Sequence, residues 1–289
     1  MRIKSEIVKA ARKFLERKGF IELFPSLIAD FPDPGIGEAR FFEFEFSGIK
    51  LKLLSALTLY KPYLAKAYGR IFALLPSFRL EPIQKIKAGR HLLQFYQLEV
   101  EMEGRRKDAI KILERLLAYI VKKVKKRCKT ELEILGRKIR SIKLPLPKLE
   151  YEDALKIAKC DDYSKAEEKL SKSMKTPFFV TGFPIELARD RGFPFKSDGG
   201  KFLDFDLILP EGYGECATGS EREDDKKKLV SLFKKLGLKS YLKFLKKFEL
   251  ARTAGFGLGI ERLCMWICGL KDIRYTTFPP QLIKIKQAK

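Results

Sequence analysis

Residues 78–101 combine acidic, basic and aromatic side chains in a regular alternation. Two runs with a two-residue apolar–polar period flank a loop that contains Pro82 and Gly89. This pattern predicts an antiparallel hairpin with a long connection. Successive strand residues point to opposite faces, so one face is apolar and the other is mixed. The mixed face carries Arg79, Glu81, Phe95, Gln97, Glu99 and Glu101.

Such a face has the chemistry to hold an amino acid beside a nucleotide. Carboxylates and an amide accept hydrogen bonds from an amine, whereas the guanidinium fork of Arg79 matches a carboxylate or phosphate. Cross-strand ion pairs at a sheet edge would give the same pattern. His91, the only histidine of the chain, follows Arg90 in the loop. Two adjacent donors there could meet a polyphosphate, although a lone histidine is more often structural.

Two further stretches carry candidate ligand groups. Asp206 lies in an apolar strand pattern, and Glu215 follows after a turn, so the two carboxylates could hold magnesium. Farther on, glycines alternate through residues 255–259, which leaves one side of a predicted strand as bare backbone for a planar base. Arg262 opens the next helix. Neither the dinucleotide-binding glycine pattern nor a phosphate-binding GK[ST] loop is present in the sequence.

Composition limits the class of protein. The 289 residues are 45% hydrophobic with 23 Phe, enough for a real core, and no apolar run approaches a membrane span. The five cysteines have no CxxC spacing, so we expect a reducing, cytoplasmic protein without a zinc site. A net charge of +23 indicates an anionic partner such as RNA, but a Lys-rich, heat-adapted surface would look the same.

Hydrophobic periodicity places these residues on regular elements. We predict helices at 5–18, 56–68, 106–127, 151–158, 165–170, 224–236 and 239–248, and strands at 20–27, 41–46, 49–54, 177–181, 183–185 and 202–210. Pro25 interrupts the first strand, and the glycine- and proline-rich residues 30–40 predict a lid-like loop. Without an internal repeat or linker, we predict one domain over 1–289 with a partly helical insertion at about 104–200.

Taken together, these stretches resemble the catalytic core of the class II aminoacyl-tRNA synthetases, and within them the aspartyl and asparaginyl branch. Residues 19–27 resemble the first motif of the family, residues 79–101 the second, and residues 257–263 the third. The similarity extends from about residue 5 to residue 280. It implies an α+β fold in which helices flank a mostly antiparallel sheet. It also implies a homodimer, with Pro25 and the apolar face of residues 7–15 at the two-fold interface.

The resemblance also implies a role for each matching residue, with ATP and Mg²⁺ as cofactors. Arg79 would hold the α-phosphate and the reacting carboxylate, and Arg262 would cover the adenine as the second catalytic arginine. The other ATP-binding positions would be Glu81, Arg90, His91, Phe95, Gly257 and Gly259. The metal ligands would be Asp206 and Glu215. The amino-acid-binding positions would be Lys61, Gln97, Glu99, Arg222 and, in the lid-like loop, Glu38.

Departures from the family pattern shape the expected function. Thr58 and Pro280 differ from the aspartyl pattern, Glu99 follows the asparaginyl branch, and the anticodon-binding barrel expected before residue 19 is missing. Such a core resembles archaeal-type asparagine synthetases, which implies that aspartate is activated with ATP and amidated by ammonia. The alternatives are an aminoacyl ligase that acts on tRNA or another RNA or protein acceptor, and a non-catalytic paralogue that binds nucleotide or RNA.

Overall fold

Strands and helices are interspersed through the described parts of the chain. The computed structural model describes residues 1–29, 39–187, 194–235, 241–242, 245–246 and 249–281. The helices are α1 (Arg2–Arg17), α2 (Lys61–Tyr68), α3 (Ile83–Lys87), α4 (Arg106–Arg127), α5 (Lys129–Ile134), α6 (Tyr151–Ala158), α7 (Tyr163–Ser173), α8 (Lys226–Lys235) and α9 (Ile260–Cys268). The strands are β1 (Ile21–Glu22), β2 (Ile28–Ala29), β3 (Glu43–Phe46), β4 (Ile49–Leu53), β5 (Arg70–Phe78), β6 (Gln94–Glu103), β7 (Lys148–Glu150), β8 (Phe178–Thr181), β9 (Ser197–Asp198), β10 (Lys201–Phe202), β11 (Asp204–Leu209), β12 (Gly214–Glu221) and β13 (Thr253–Gly259).

Eight of these strands form one mostly antiparallel sheet. Their order is β1-β5-β6-β13-β12-β11-β8-β7, and only the two outermost pairs, β1 with β5 and β7 with β8, are parallel. Strands β2, β4 and β3 form a separate three-stranded sheet. The predicted α+β fold, with helices flanking a mostly antiparallel sheet, is confirmed.

The main core lies on one face of this sheet, beneath α1, α4 and α9. Ile7, Leu15, Leu113 and Leu117 are fully buried there, with the ring of Phe14 against Tyr119. Burying one such side chain stabilises the fold by about 1.5–3 kcal/mol. The apolar face of residues 7–15 therefore packs within its own chain, and its predicted place at a two-fold interface is wrong.

Strand β6 separates this core from the opposite face of the sheet, which carries the predicted site residues and is called the functional face below. Leu98, Val100 and Met102 are in the core, while Gln97, Glu99 and Glu101 point to the opposite side. The predicted two-faced alternation is confirmed for this strand. Because β13 pairs with β6 residue for residue, Gly257 lies opposite Glu99 and Gly255 opposite Glu101.

Several predicted element boundaries are wrong. The first strand of the hairpin covers Arg70–Phe78, not residues 78–81, since Leu80 pairs with Arg40 and the chain then turns into α3. Residues 20–27 form only the two-residue β1, in line with a proline that donates no ladder bond. The helix predicted from residue 56 begins at Lys61.

Parts of the predicted insertion at 104–200 belong to the main sheet. Helices α4 and α6 match the predicted 106–127 and 151–158, whereas β7 and β8 extend the sheet beyond β11. Helix α7 covers the predicted 165–170 and lies against β11 and β12 through the Ser171 hydroxyl, which donates to the Leu209 carbonyl at 2.6 Å.

The predicted lid falls at 30–38 outside the described residues, as does most of the helix predicted at 239–248. In the part of the chain that the structure describes, no helix is long and apolar enough to cross a lipid bilayer.

Candidate active site

Four buried charged side chains from three parts of the chain meet on the functional face of the sheet. Lys61 Nζ lies 2.5 Å from Glu99 Oε2 and 3.6 Å from Glu101 Oε2. Arg222 donates to Glu101 through Nε, at 3.0 Å to Oε1, and through Nη2, at 3.0 Å to Oε2. We call Lys61, Glu99, Glu101 and Arg222 the charge quartet. Its two positive and two negative charges cancel.

The quartet has hydrogen-bonding capacity left over. Glu99 Oε1 is buried and accepts no hydrogen bond from any residue that the structure describes. A buried acceptor without a donor costs about 1–3 kcal/mol, more when it is charged. The free oxygen of Glu99 is therefore matched to a donor from a bound molecule, such as an ammonium or an amide NH₂.

The glycines of β13 make room for the polar side chains of β6. A methyl group at Gly257 would lie 2.2 Å from Gln97 Nε2, and one at Gly255 would lie 2.2 Å from Glu101 Oε2. The expected bare floor is thus covered at two positions by side chains of the neighbouring strand. At Gly259 the nearest atom would be 3.6 Å away, so that position alone stays open.

Arg79 contacts both Gln97, on the functional face of the sheet, and the ring of Phe95. Its Nη2 donates to Gln97 Oε1 at 3.5 Å and to the Ser55 carbonyl at 3.3 Å, and its guanidinium lies 5.2 Å from the centroid of the Phe95 ring. Glu81 is half-buried in the connection after β5. The structure thus brings Arg79, Phe95 and Gln97 together, as the sequence predicts.

His91 and Arg262 lie in contact with each other. Arg262 Nη2 lies 3.2 Å from His91 Nε2, and its Nη1 donates to the Glu215 carbonyl at 2.7 Å. Burial and the neighbouring charge of Arg262 lower the pKa of His91 to about 4. The ring is neutral at pH 7, so Nε2 accepts from Arg262 and Nδ1 carries the proton. Among the described residues, Nδ1 has no partner.

The two predicted metal carboxylates lie on adjacent strands. Thr218 donates its hydroxyl to Asp206 Oδ1 at 2.7 Å, and the Thr218 hydroxyl oxygen lies 3.1 Å from Glu215 Oε1. Carboxylate and hydroxyl oxygens are the ligands that Mg²⁺ prefers. Mg²⁺ usually keeps several waters and also binds phosphate oxygens of the substrate, so it needs only one or two carboxylates from the protein. The residues present therefore fit Mg²⁺. The described residues contain no group of three or more acidic, cysteine or histidine side chains with metal-binding geometry.

Arg90 is held by residues that lie far away in sequence. Its Nη2 donates to the Tyr213 carbonyl at 3.0 Å and lies 3.6 Å from Glu167 Oε1. The same Glu167 oxygen accepts a hydrogen bond of 2.8 Å from the Glu215 backbone N–H. Burial, and then the charge of Glu215, raise the pKa of Glu167 above its usual value.

The sequence places Glu101 on the mixed face of the hairpin but assigns it no ligand, and it gives Thr218 no role. The bidentate contact of Glu101 with Arg222 makes it part of the charge quartet. Thr218 required the register of β11 and β12, which pairs it with Asp206. Glu38, the remaining predicted position, lies outside the described residues.

A mostly antiparallel sheet with an arginine–aromatic surface, a paired carboxylate site and a buried charge quartet is the architecture of an adenylate-forming synthetase core. A family model described as tRNA synthetases class II (D, K and N) matches residues 1–282. The asparagine–tRNA ligase of Desulforamulus reducens is 33% identical over an alignment 301 residues long. This alignment covers 98% of this chain and 69% of the relative. The chain belongs to the class II tRNA synthetases and is an ATP-dependent ligase.

Solved structures agree with this assignment. Asparaginyl-tRNA synthetase from Pyrococcus horikoshii, complexed with asparaginyl-adenylate, matches with a TM-score of 0.87 and 30% identity over 97% of this chain and 67% of that one. The Entamoeba histolytica asparaginyl-tRNA synthetase with asparaginyl-adenylate matches with a TM-score of 0.85 over 100% of this chain and 68% of that one. At 23% identity, the second match shows the fold alone.

Proposed function

We propose that this protein activates aspartate as an acyl-adenylate with ATP and then transfers the acyl group to ammonia, which releases asparagine. The observation that supports this proposal is the neutral charge quartet with its free acceptor, Glu99 Oε1. A buried cluster with balanced charges is matched to a ligand group that is itself balanced, because an added net charge there would be costly.

The α-amino and α-carboxylate groups of aspartate form such a balanced pair. The ammonium would donate to Glu99, and the carboxylate would accept from Lys61 and Arg222. Residues of the same face of a strand are about 7 Å apart, so Gln97 and Phe95 extend the site toward Arg79. In this orientation the β-carboxylate faces Arg79 and the nucleotide, and it is the group that becomes activated.

The chemistry then needs little acid–base catalysis. A β-carboxylate oxygen attacks the α-phosphorus of ATP, the bond to the pyrophosphate leaving group breaks, and the aspartyl-adenylate forms. Ammonia attacks the activated carbonyl carbon, AMP leaves, and a proton is released. Arg79 would neutralise charge at the α-phosphate, and Arg90 and Arg262 would contact the nucleotide. Asp206 and Glu215 would hold Mg²⁺, which supplies further charge neutralisation at the phosphates.

A second function follows from the named relatives. The Desulforamulus protein is an asparagine–tRNA ligase, and the Pyrococcus structure contains asparaginyl-adenylate. The neutral carboxamide of asparagine also fits the charge quartet, with its NH₂ toward Glu99 and its oxygen toward Arg222. In that case the α-carboxylate is activated and an RNA hydroxyl accepts the acyl group. The net charge of +23 is consistent with such a partner.

One experiment separates these functions. The protein is incubated with ATP and Mg²⁺ and either aspartate with ammonium or asparagine, with and without tRNA, and pyrophosphate exchange and products are measured. We expect exchange with aspartate and free asparagine without RNA. Exchange with asparagine alone, followed by RNA-bound product, would establish the second function. Loss of pyrophosphate exchange with every amino acid would refute both.

Glu99 provides the matched variant. Glu99→Gln keeps the shape but removes the charge that would bind the ammonium, so the KM for the amino acid should rise about ten- to a hundredfold, with the KM for ATP unchanged. Glu103→Gln lies on the same strand with an exposed side chain and serves as the control. An unchanged KM in Glu99→Gln would contradict the proposed orientation.

We also propose that the protein is a homodimer, on different grounds from those that the sequence suggested. Phe24, beside Pro25, is 86% exposed, and Phe46 and Ile49 are exposed on the three-stranded sheet. Phe46 and Ile49 lie opposite each other in the register of β3 and β4, and exposed apolar side chains that adjoin in this way are typical of protein interfaces. Light scattering at micromolar concentration should give twice the mass of 33.4 kDa, whereas Phe24→Asp should shift it toward the monomer. A monomeric wild-type protein would refute the proposal.

A further inference from the structure

We propose that Glu167, on helix α7, is a positioning residue. It orients Arg90 toward the outer phosphates of ATP and holds the backbone of Glu215, the metal carboxylate on β12. The inference rests on the proposed function, because it assigns Arg90 to the nucleotide. It adds a residue from the helical part of the chain, which carries none of the three family motifs.

The contacts of Arg90 define a direction for its guanidinium. Nη2 is committed to the Tyr213 carbonyl, at 3.0 Å, and to Glu167 Oε1, at 3.6 Å. Within the described ranges, Nε and Nη1 form no hydrogen bond, so these donors remain available for an anion. An arginine that is held on one side presents the rest of its fork in a fixed direction, which lowers the entropy lost on binding a phosphate.

The same carboxylate oxygen also fixes the backbone at Glu215. Glu167 Oε1 accepts the Glu215 N–H at 2.8 Å. A methyl group at Gly214, which has φ +67°, would lie 2.2 Å from Arg90 Nη2 and 2.4 Å from Glu167 Oε1. The glycine therefore allows the guanidinium and the carboxylate to approach the strand closely. One side chain thereby connects the polyphosphate arginine to the strand of the metal carboxylate.

Anchoring α7 to the sheet does not require Glu167. The Ser171 hydroxyl donates to the Leu209 carbonyl at 2.6 Å and accepts from the Gly214 N–H at 2.9 Å, and the Gly212 N–H donates to the Ser171 carbonyl at 3.1 Å. The helix is held by these bonds one turn further along. A charged side chain beside Arg90 is therefore not explained by helix docking.

The test compares Glu167→Ala with Glu168→Ala. Glu168 is the next residue of α7, is exposed and pairs with Lys172, so it is the matched control. We expect Glu167→Ala to raise the KM for ATP about tenfold, the effect of losing one charge-assisted hydrogen bond between Arg90 and a phosphate. The KM for the amino acid should stay within about twofold of the wild-type value. Glu168→Ala should match the wild type in both constants.

Two further measurements distinguish positioning from a structural role. If Glu167 acts through Arg90, then adding Glu167→Ala to Arg90→Ala should change the KM for ATP less than about twofold. Glu167→Gln keeps an acceptor for the Glu215 N–H but loses the charge, so its KM for ATP should lie between wild type and Glu167→Ala. An unchanged KM for ATP in Glu167→Ala, or effects that multiply in the double variant, would overturn the proposal.

Failure of the proposed function would remain distinguishable. A wild-type protein without pyrophosphate exchange would refute the adenylate chemistry, and the binding of Mg·ATP measured by calorimetry would still test Glu167. In that assay Glu167→Ala should weaken binding about tenfold, and Glu168→Ala should not. Equal affinities for both variants would overturn the assignment of Glu167.

Discussion

Glu101 is the position at which the charge quartet can be tested most directly. Its side chain is fully buried, accepts from Nε and Nη2 of Arg222, and has one oxygen 3.6 Å from Lys61 Nζ. Glu101→Gln keeps the volume but leaves two cations opposite the single carboxylate of Glu99. It also places an NH₂ group where the structure has only donors around it.

Breaking a buried ion pair in this way costs about 3–5 kcal/mol, because the remaining charge stays out of water without a partner. Unfolding entropies scale with chain length, and for 289 residues this loss corresponds to a melting temperature about 5–8 °C lower. Removing both charges of the pair in Glu101→Gln/Arg222→Gln should recover much of that stability, since no unpaired charge remains. Neither variant should bind the amino acid with wild-type affinity.

Chemical denaturation and thermal melting, followed by circular dichroism, measure these differences. Glu103→Gln, on the same strand but exposed, is the control and should change stability by less than about 0.5 kcal/mol. Equal stability of Glu101→Gln and Glu103→Gln would contradict the buried pairing of Glu101. A double variant that costs as much as the sum of the two single changes would contradict it too, because the charges would then not be coupled.

Two other predictions concern His91 and the glycines of β13. His91 has a folded-state pKa of about 4, below its ordinary value of 6.5. Between these two pH values the unfolded chain binds more protons than the folded one, so the free energy of unfolding falls as the pH decreases from 6.5 to about 4. Between pH 7.5 and pH 5 the loss should be about 2 kcal/mol in denaturant titrations, and His91→Gln should remove it; an equal loss in the variant would contradict the burial of a neutral ring. Gly255→Ala should destabilise by about 1–3 kcal/mol because its methyl group would lie 2.1 Å from the Val100 carbonyl, whereas Gly259→Ala should be neutral. Equal melting temperatures for the two alanine variants would show that β13 can shift away from β6.

The sequence determined those features that depend on near neighbours in the chain. The helical period over residues 106–127 predicts α4 as observed, and the two-residue period of β6 predicts which of its residues face the core and which face the site. The motif residues Arg79, Phe95 and Gln97 are close together because they are joined by one hairpin. Local periodicity and short connections are sufficient for such predictions, since they do not require a long-range register.

Tertiary structure decided how charges are shared. Lys61 and Arg222 are predicted from the sequence as cations for a substrate carboxylate, but the fold pairs Lys61 with Glu99, 38 residues away, and Arg222 with Glu101, 121 residues away. The contact of Glu167 with Arg90 likewise spans two separate parts of the chain. Hydrogen bonds and ion pairs act over a few ångströms, and no sequence period reports which distant side chains come within that range.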